Sequence, residues 1–550
     1  MEKKAKKIDK QLIVRGIIAA LIPPFCCLVY LLIYKKSFFD VSLLKSEWND
    51  ELFYFKEVEA ILKNGHPTGY FGYNESHAAI FGLGAWSPVI ILPWLLWGRI
   101  FGWGLYSPFI SNMVFFSTAL FFFVMFSKAS WKQLIIIISA FALFPLNIRY
   151  IFSAMPEVII WSLILIFYGL ALNCIKKESQ AGIIALFVIS VLLTLMRPYF
   201  ILLVFLPAFL IIRQKRGKKL LFGIGISFVT MLAATFIYAV VTKFFCAEYI
   251  EPIYDTGWLE MFIKEGVKAG IVNLLSGMKN TAYTLYYLMR ISLKEVKAEG
   301  TYFILHLFVL GLFFVRIIAD LICLAIHRKD DKSEKKEIIG QRLPTEIHFF
   351  ATATIVFIAV FIMYDLKDGS KHLLTFISTG IIILAVLGGL DALRSFAVGV
   401  LLSVLLLSDW NRGSYNYLVP FKDEELSERS QYWEKVFDKT ENDISVKGIS
   451  YSNTIIWVFS DPGINSGERE IPKDRAGLFR HETEWQMLYL APKGFGINGC
   501  KGEYVYENFD NLKSGYILVI EGGFIDERCK ASEVWEEAGR RDALVLYERK

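Results

Sequence analysis

Two adjacent carboxylates, Asp50 and Glu51, follow the first apolar segment of the chain, in the stretch "SEWNDELFYFKEVEAILKNG" (46–65). The pattern of this stretch predicts a helix with both acids in its first turn, where the helix dipole favours the ionised form. An ionised carboxylate can accept a proton from a hydroxyl group and is therefore a candidate general base. Taken alone, the stretch is more typical of a solvated amphipathic helix, so its meaning depends on the rest of the chain.

The ends of this helix carry recognisable signals. Ser46 or Asn49 could cap its N-terminus, and Gly65 suits the left-handed residue that often follows a last turn. Tyr54 and Glu57 lie on the same helix face as Asp50, because residues four and seven positions apart share a face.

Three further groups of polar residues stand at the ends of apolar segments. In each case an acid or a cation lies where a membrane span begins or ends, as a site for a phosphate-bearing lipid would require. They are Glu157, which follows Pro156 in "FSAMPEVIIW", Arg197 in "LMRPYF", and Asp365, Lys367, Lys371 and His372 in "YDLKDGSKHLLTF".

The composition identifies the class of protein that holds these residues. The chain has 550 residues, of which 55% are hydrophobic and 20% charged. That balance is typical of a polytopic membrane protein. The net charge of +6 comes from short basic clusters between apolar runs, which indicates orientation in a membrane and no nucleic-acid partner.

Eleven apolar segments are predicted to span the membrane, with the N-terminus in the cytoplasm and basic clusters on the cytoplasmic side. Residues 35–104 then form the first outer loop, in which the Trp-rich stretch 86–102 is predicted to be an interfacial helix. The predicted spans are 17–34, 105–127, 133–151, 158–174, 181–196, 199–212, 220–242, 302–326, 347–364, 373–390 and 395–408.

The chain divides into a transmembrane domain (1–408) and an extracytoplasmic α/β domain (409–550). In the second domain, "NTIIWVFS", "EWQMLYLA", "GYILVIEGG" and "ALVLYERK" are predicted to be strands, and "SEVWEEAGRRD" is predicted to be a helix. Its outer location would allow Cys500 and Cys529 to form a disulfide.

The order of these features resembles the GT-C glycosyltransferases, a superfamily that includes the protein O-mannosyltransferases and the aminoarabinose transferase of lipid A. "WNDELFYFKEVEAIL" is similar to the D-E-x-x-Y opening of their first outer loop. "SAMPE" is similar to the acid that starts their fourth span, "LMRP" to the basic residue that ends the fifth, and "DGSKHLL" to their late K-G-K/R-x loop. The resemblance covers roughly residues 12–215 and 347–390.

Two departures limit what the resemblance implies. Glu157 stands where an aspartate is commoner in the superfamily. Residues 69–88 replace an expected short proline–aromatic motif, so contacts with the acceptor are not carried over.

The resemblance implies a glycosyltransferase that moves a sugar from a polyprenyl-phosphate donor to an extracytoplasmic acceptor, with inversion. The resemblance implies no obligatory metal, although a divalent metal shared by Asp50 and Glu157 is an alternative. The implied partners of the protein are the sugar donor, the membrane lipids and the acceptor. The implied roles are general base for Asp50, orientation of a substrate for Glu157, donor-phosphate binding for Arg197, Lys371 and His372, and support for Glu51 and Tyr54.

Two other classes of protein handle lipid-linked saccharides. A transporter or flippase should have polar or broken helices near the bilayer midplane, whereas most charged residues here stand at the ends of spans. An O-antigen-type polymerase would be expected to use external arginines and not an acid in its first outer loop.

Overall fold

The structure is a computed structural model. It describes residues 9–46, 48–76, 78–84, 87–142, 144, 146–177, 179–214, 219–248, 257–295, 298–326, 334–363, 366, 370–387, 419–438, 451–458, 461–462 and 481–550.

Helices make up most of the described chain. Six of those in the described residues are long and apolar enough to cross a membrane, which is the pattern of a multi-pass membrane protein. The α-helices of the described residues are, in chain order, α1 (Lys10–Ile33), α2 (Asn49–Asn64), α3 (Leu92–Phe101), α4 (Ser107–Ser127), α5 (Trp131–Ala142), α6 (Leu146–Ile151), α7 (Glu157–Lys177), α8 (Gln180–Met196), α9 (Phe205–Gln214), α10 (Lys219–Phe245), α11 (Gly257–Glu265), α12 (Val267–Glu295), α13 (Ala298–Ile326), α14 (Glu334–Met363), α15 (Leu374–Val386), α16 (Glu424–Asp438), α17 (His481–Leu490), α18 (Gly502–Glu507) and α19 (Phe524–Ala531). The six that could cross a membrane are α1, α4, α7, α10, α13 and α14.

The predicted spans coincide with helices as far as the structure describes them. The segment 133–151 is divided between α5 and α6, and the segment 199–212 begins as a 3-10 helix (Pro198–Val204) before α9. The last predicted span, 395–408, lies outside the described residues, so the count of eleven spans stays a prediction.

The predicted interfacial segment is a short 3-10 helix (Pro88–Ile91) followed by α3. One side of α3 packs inward through Trp94, which is fully buried, while Leu96 and Ile100 are exposed. This two-sided pattern suits a helix that lies along a membrane surface.

A six-stranded sheet forms the core of the α/β domain in the described chain, with strand order β1-β3-β2-β4-β6-β5. The first four strands in this order are parallel, and β6 and β5 are added antiparallel. The strands are β1 (Phe71–Tyr73), β2 (Thr454–Val458), β3 (Gly496–Cys500), β4 (Tyr516–Ile520), β5 (Trp535–Arg541) and β6 (Leu544–Arg549).

Two predicted elements of this domain were wrong. "EWQMLYLA" falls largely in helix α17, where residues 485–489 are all buried, and a short segment buried on all sides has no periodicity that distinguishes a helix from a strand. "SEVWEEAGRRD" contains strand β5, whose many charges suit its position at the edge of the sheet, where it pairs with β6.

The first outer loop supplies a strand to this domain. Its strand β1 pairs in parallel with β3, so the sheet combines residues from both ends of the chain. The loop also contacts the segment before α16, where Ser42 N donates to Pro420 O over 3.0 Å and Lys422 N donates to Asp40 O over 2.7 Å. The loop and the C-terminal domain therefore pack as one unit.

The two faces of the sheet pack against different layers. Phe71, Ile455 and Trp457 belong to the large apolar core that includes residues of α2. Cys500 and Cys529 belong to a second apolar cluster on the other face, and both are free, buried thiols. The predicted disulfide is therefore not formed in this structure, where the two thiols pack as small apolar groups.

Candidate active site

Helix α2 presents the proposed base and ends as predicted. Gly65 has a φ of 78° and donates its N–H to Ile61 O over 2.8 Å, so it closes the helix in the left-handed conformation. The predicted N-cap was wrong, since the capping residue is Trp48 and makes no side-chain cap bond. Ser46 Oγ instead accepts from Trp48 N over 3.2 Å, and Asn49 Oδ1 accepts from Asp50 N over 2.9 Å.

Asp50 is ion-paired with a residue from the far end of the transmembrane domain. Lys371, in a 3-10 turn (Ser370–Leu373) just before α15, donates from Nζ to Asp50 Oδ2 over 2.6 Å. The side chains are 30% exposed for Lys371 and 19% exposed for Asp50. The pair therefore lies at the accessible end of the site.

Glu157 and Arg197 form a second ion pair, which is more deeply buried. Arg197 Nη2 donates to Glu157 Oε1, and the two side chains are 11% and 3% exposed. The other oxygen of this carboxylate, Glu157 Oε2, is buried and makes no hydrogen bond within the described chain. An acceptor atom of this kind can bind a donor group of a ligand, because burial without a partner is costly.

His372 and Tyr199 hold the guanidinium of Arg197 from its other side. Arg197 Nη1 donates to His372 Nδ1 and, over 3.3 Å, to Tyr199 OH, which lies 3.1 Å from the same Nδ1. Because a guanidinium can only donate, Nδ1 is the acceptor and the imidazole is neutral in this arrangement. His372 therefore orients Arg197 instead of adding a positive charge.

Tyr54 lies within electrostatic range of both ion pairs. Its side chain is buried on the same face of α2 as Asp50. Burial raises the pKa of the Tyr54 hydroxyl well above its ordinary value, the charges of Asp50 and Glu157 raise it further, and the charge of Arg197 lowers it. Lys371 likewise lies within range of the charges of Glu157 and Arg197. The predicted site residues thus converge in one cluster.

Glu51 bonds other partners and forms a buried clamp with Arg149 of α6. Arg149 Nη2 donates to Glu51 Oε1 over 3.0 Å, and Arg149 Nη1 donates to Phe152 O over 3.2 Å. The other oxygen, Glu51 Oε2, accepts from Ala154 N over 3.4 Å, and the guanidinium stacks on Trp48 at 3.6 Å. The clamp ties the start of α2 to the segment that leads into α7 and therefore to both acids of the site.

Burial affects the two other carboxyls of α2 that face inward. Complete burial raises the pKa of Glu51, although the Arg149 guanidinium favours the ionised form and opposes that shift. Burial raises the pKa of Glu57 to about 7. Glu57 Oε1 accepts from Gly84 N over 2.8 Å, so this carboxyl ties α2 to a later segment of the same outer loop.

Asp50 and Glu157 are the site residues that could hold a divalent cation, and each is paired with a cationic side chain. Across the described ranges, no group of three or more His, Cys, Asp or Glu side chains is arranged to bind a metal ion.

Two residues in and around the site were not predicted from the sequence. Tyr199 stands two positions after Arg197 in "LMRPYF", and Arg149 stands in "LNIRYI". An arginine near the end of an apolar segment was the available signal for the clamp, but its partner Glu51 is 98 positions away. The predicted Asp365 and Lys367 lie outside the described residues.

Comparison with known proteins gives no family model and no curated protein that matches the chain. Among solved structures, it is similar to the oligosaccharyltransferase of Archaeoglobus fulgidus in the apo form, with 10% identity and a TM-score of 0.49, over 93% of this chain and 70% of that chain. The same enzyme, AglB, in complex with an inhibitory peptide and a dolichol-phosphate, gives 11% identity and a TM-score of 0.43 over 93% and 69% of the two chains.

A third similar structure is ArnT from Cupriavidus metallidurans bound to undecaprenyl phosphate, with 8% identity and a TM-score of 0.39 over 98% of each chain. These neighbours are GT-C glycosyltransferases. They belong to the superfamily that the sequence motifs resemble. At such low identities and TM-scores, the roles of individual residues in this chain depend on the geometry of its own site.

Proposed function

We propose that this protein is a membrane glycosyltransferase that moves a sugar from a polyprenyl-phosphate donor to a hydroxyl group of an extracytoplasmic acceptor, with inversion at the anomeric carbon. The observation that carries the proposal is the pair of neighbouring ion pairs, which both lie within electrostatic range of Tyr54. Each pair, Asp50–Lys371 and Glu157–Arg197, combines a carboxylate with a cation from another part of the helical bundle.

Asp50 is the general base in this proposal. It is the more accessible of the two acids, and it lies in the first turn of α2, where Lys371 is its ion-pair partner. It takes the proton of the acceptor hydroxyl while the hydroxyl oxygen attacks the anomeric carbon. A general base of this kind typically contributes ~10²–10⁴-fold to the rate.

Arg197 and Lys371 bind the leaving phosphate. As the bond between the anomeric carbon and the phosphate oxygen breaks, its electron pair stays on that oxygen, and the two cations stabilise the developing charge. The guanidinium suits this role because its planar donors match phosphate geometry, and because His372 and Tyr199 fix its orientation.

Glu157 has two roles, one for each oxygen. Its Oε1 holds Arg197 in place, and its unpartnered Oε2 accepts a hydrogen bond from a hydroxyl of the donor sugar or of the acceptor. In this proposal the residues of the site bind the phosphate, orient the sugar and accept the proton.

The decisive experiment is Asp50→Asn in the purified full-length protein reconstituted in liposomes. Release of labelled sugar from a panel of polyprenyl-phosphate sugars, with envelope extract as acceptor, should fall by about two orders of magnitude or more. Undecaprenyl phosphate should still bind. The matched control is Asp510→Asn, which removes an exposed carboxylate paired with Arg528 at 3.2 Å and should retain transfer. Full activity in Asp50→Asn would remove Asp50 as the base.

A further inference from the structure

The C-terminal domain holds part of the first outer loop in a fixed position. Tyr73, the last residue of β1, lies opposite Gly499 of β3 in the sheet register. Two residues later, the carboxylate of Glu75 accepts from Ser514 N over 2.7 Å, from Ser514 Oγ over 2.6 Å and from Lys513 N over 3.0 Å. This fully bonded, buried carboxylate fastens the loop to the domain at the end of the strand.

The same strand packs on the helix that carries the proposed base. The ring centroid of Phe71 lies 4.0 Å from that of Phe53, which is one turn of α2 beyond Asp50. Tyr73 packs edge-on against Phe71 at 5.0 Å. The charge of Asp50 acts on Tyr73 and, together with burial, raises the pKa of its hydroxyl. Through Phe71, the strand therefore places Tyr73 beside the first turns of α2, the part of the helix that carries Asp50.

Side-chain exposure divides the site into two ends. Glu157 and Arg197 are buried at one end, whereas Asp50 and Lys371 are partly exposed at the other. Tyr73 is half-buried and lies within range of the charge of Asp50, at the partly exposed end. In the proposed mechanism, an acceptor that presents a hydroxyl to Asp50 would approach from this end.

We propose that Tyr73 binds the acceptor and that the C-terminal domain takes part in acceptor recognition by holding β1 in place. The inference deepens the proposed glycosyl transfer and rests on it. The chemistry of Tyr73 suits a hydroxylated sugar ring, because the phenol hydroxyl exchanges hydrogen bonds with hydroxyl groups and the aromatic face packs against the apolar face of a pyranose. Glu75 is then a positioning residue, which acts through the strand and does not touch the acceptor.

The first test replaces Tyr73 with the photoreactive residue p-azidophenylalanine in the full-length protein and irradiates living cells. A glycan-bearing adduct, detected by mass spectrometry of the purified protein, is expected at position 73. The matched control places the same residue at Tyr506, which is 43% exposed on α18 beside the other face of the sheet. No glycan adduct at 73, or equal adducts at both positions, would overturn the proposal.

The second test separates acceptor binding from donor binding. In Tyr73→Ala, the amount of envelope extract needed for half-maximal transfer should rise roughly tenfold, the loss of about one good hydrogen bond or ring contact. The affinity for undecaprenyl phosphate should stay near that of wild type. Glu75→Gln should raise the same acceptor requirement with a smaller effect on the maximal rate, while Tyr506→Ala should match wild type.

The two proposals fail in different ways. If the wild-type protein consumes no polyprenyl-phosphate sugar with envelope extract, the proposed function is wrong, and the acceptor role of Tyr73 falls with it. If the wild type transfers sugar and Tyr73→Ala needs no more acceptor, the proposed function stands and the role of Tyr73 is wrong.

Discussion

Lys371 Nζ lies 2.6 Å from Asp50 Oδ2, so the proposed phosphate ligand and the proposed base are paired with each other. A phosphate that binds Lys371 competes with Asp50 for the same ammonium group. Binding of the donor phosphate should therefore release the Asp50 carboxylate, and the base becomes available when the sugar to be transferred is in place.

This competition predicts a change in the chemical reactivity of Asp50. Undecaprenyl phosphate should increase carbodiimide modification of Asp50 several-fold, measured by peptide mass spectrometry. In Lys371→Met, modification should be high with or without the lipid. The fully buried Glu51 serves as an internal control that stays unmodified. Equal modification of Asp50 with and without lipid, in a protein that binds the lipid, would contradict the competition.

The clamp between Glu51 and Arg149 predicts a large loss of stability when one partner is removed. Glu51→Ala leaves a buried guanidinium without its counter-charge, which typically costs about 3–5 kcal/mol. The melting temperature in detergent should fall sharply in this variant. Removing both charges, in Glu51→Leu with Arg149→Met, should restore much of the stability.

A matched control separates the effect of the clamp from the general effect of removing a pair of charges. The exposed pair Asp510–Arg528 is the control, and its removal should change the melting temperature little. If Glu51→Ala melted like wild type, the clamp would not hold the start of α2.

Glu57 predicts a dependence of stability on pH. Its pKa is raised from 4.5 to about 7, so the folded protein binds more protons than the unfolded chain between these values. The free energy of unfolding should therefore fall as pH rises through this window, by roughly 3 kcal/mol from this group. Melting in detergent from pH 4.5 to 8 should reveal this trend in wild type.

Glu57→Gln isolates the effect, because the amide oxygen can still accept from Gly84 N and does not titrate. Glu484, whose pKa burial also raises to about 7, is present in both proteins and cancels in the comparison. The difference in melting temperature between wild type and variant should thus change with pH. A constant difference would show that Glu57 does not titrate in this range.

The hydrogen bonds that orient the Arg197 guanidinium predict that a positive charge alone is insufficient for phosphate binding at this position. Arg197→Lys keeps the positive charge but loses the planar donors that Glu157, Tyr199 and His372 orient. The affinity for undecaprenyl phosphate, measured by native mass spectrometry or calorimetry, should fall by about tenfold or more. Arg528→Lys, on the surface of the C-terminal domain, should bind as wild type does; equal affinity in Arg197→Lys would argue against a guanidinium–phosphate contact.

The convergence of the site could be predicted because the predicted topology puts Asp50, Glu157, Arg197 and Lys371 at helix ends on one side of the membrane. Apolar periodicity determines where such helices end, and those ends determine which polar groups share a surface. The neutral state of His372 could not be predicted, because it depends on which neighbour donates to Nδ1.

The contacts of Glu51 and Tyr73 could not be predicted from local pattern. Glu51 bonds a partner from another helix, and Tyr73 belongs to a three-residue strand that forms because β3 is there to pair with it. In the C-terminal domain, the charged edge strand β5 was taken for a helix because exposed edge residues lack the alternation that marks a strand. Tertiary pairing, and not propensity, decided these segments.

The pairing of β1 with β3 also determines the order in which parts of the protein can fold during synthesis. The helix that carries Asp50 and the strand that carries Tyr73 leave the ribosome well before β3 and Ser514, which is 439 positions beyond its partner Glu75. Domains that draw strands from distant parts of a chain complete their folding late. A nascent or truncated chain would therefore have its proposed base in place while the proposed acceptor side is still unassembled, so the proposed transfer would wait until the sheet is complete.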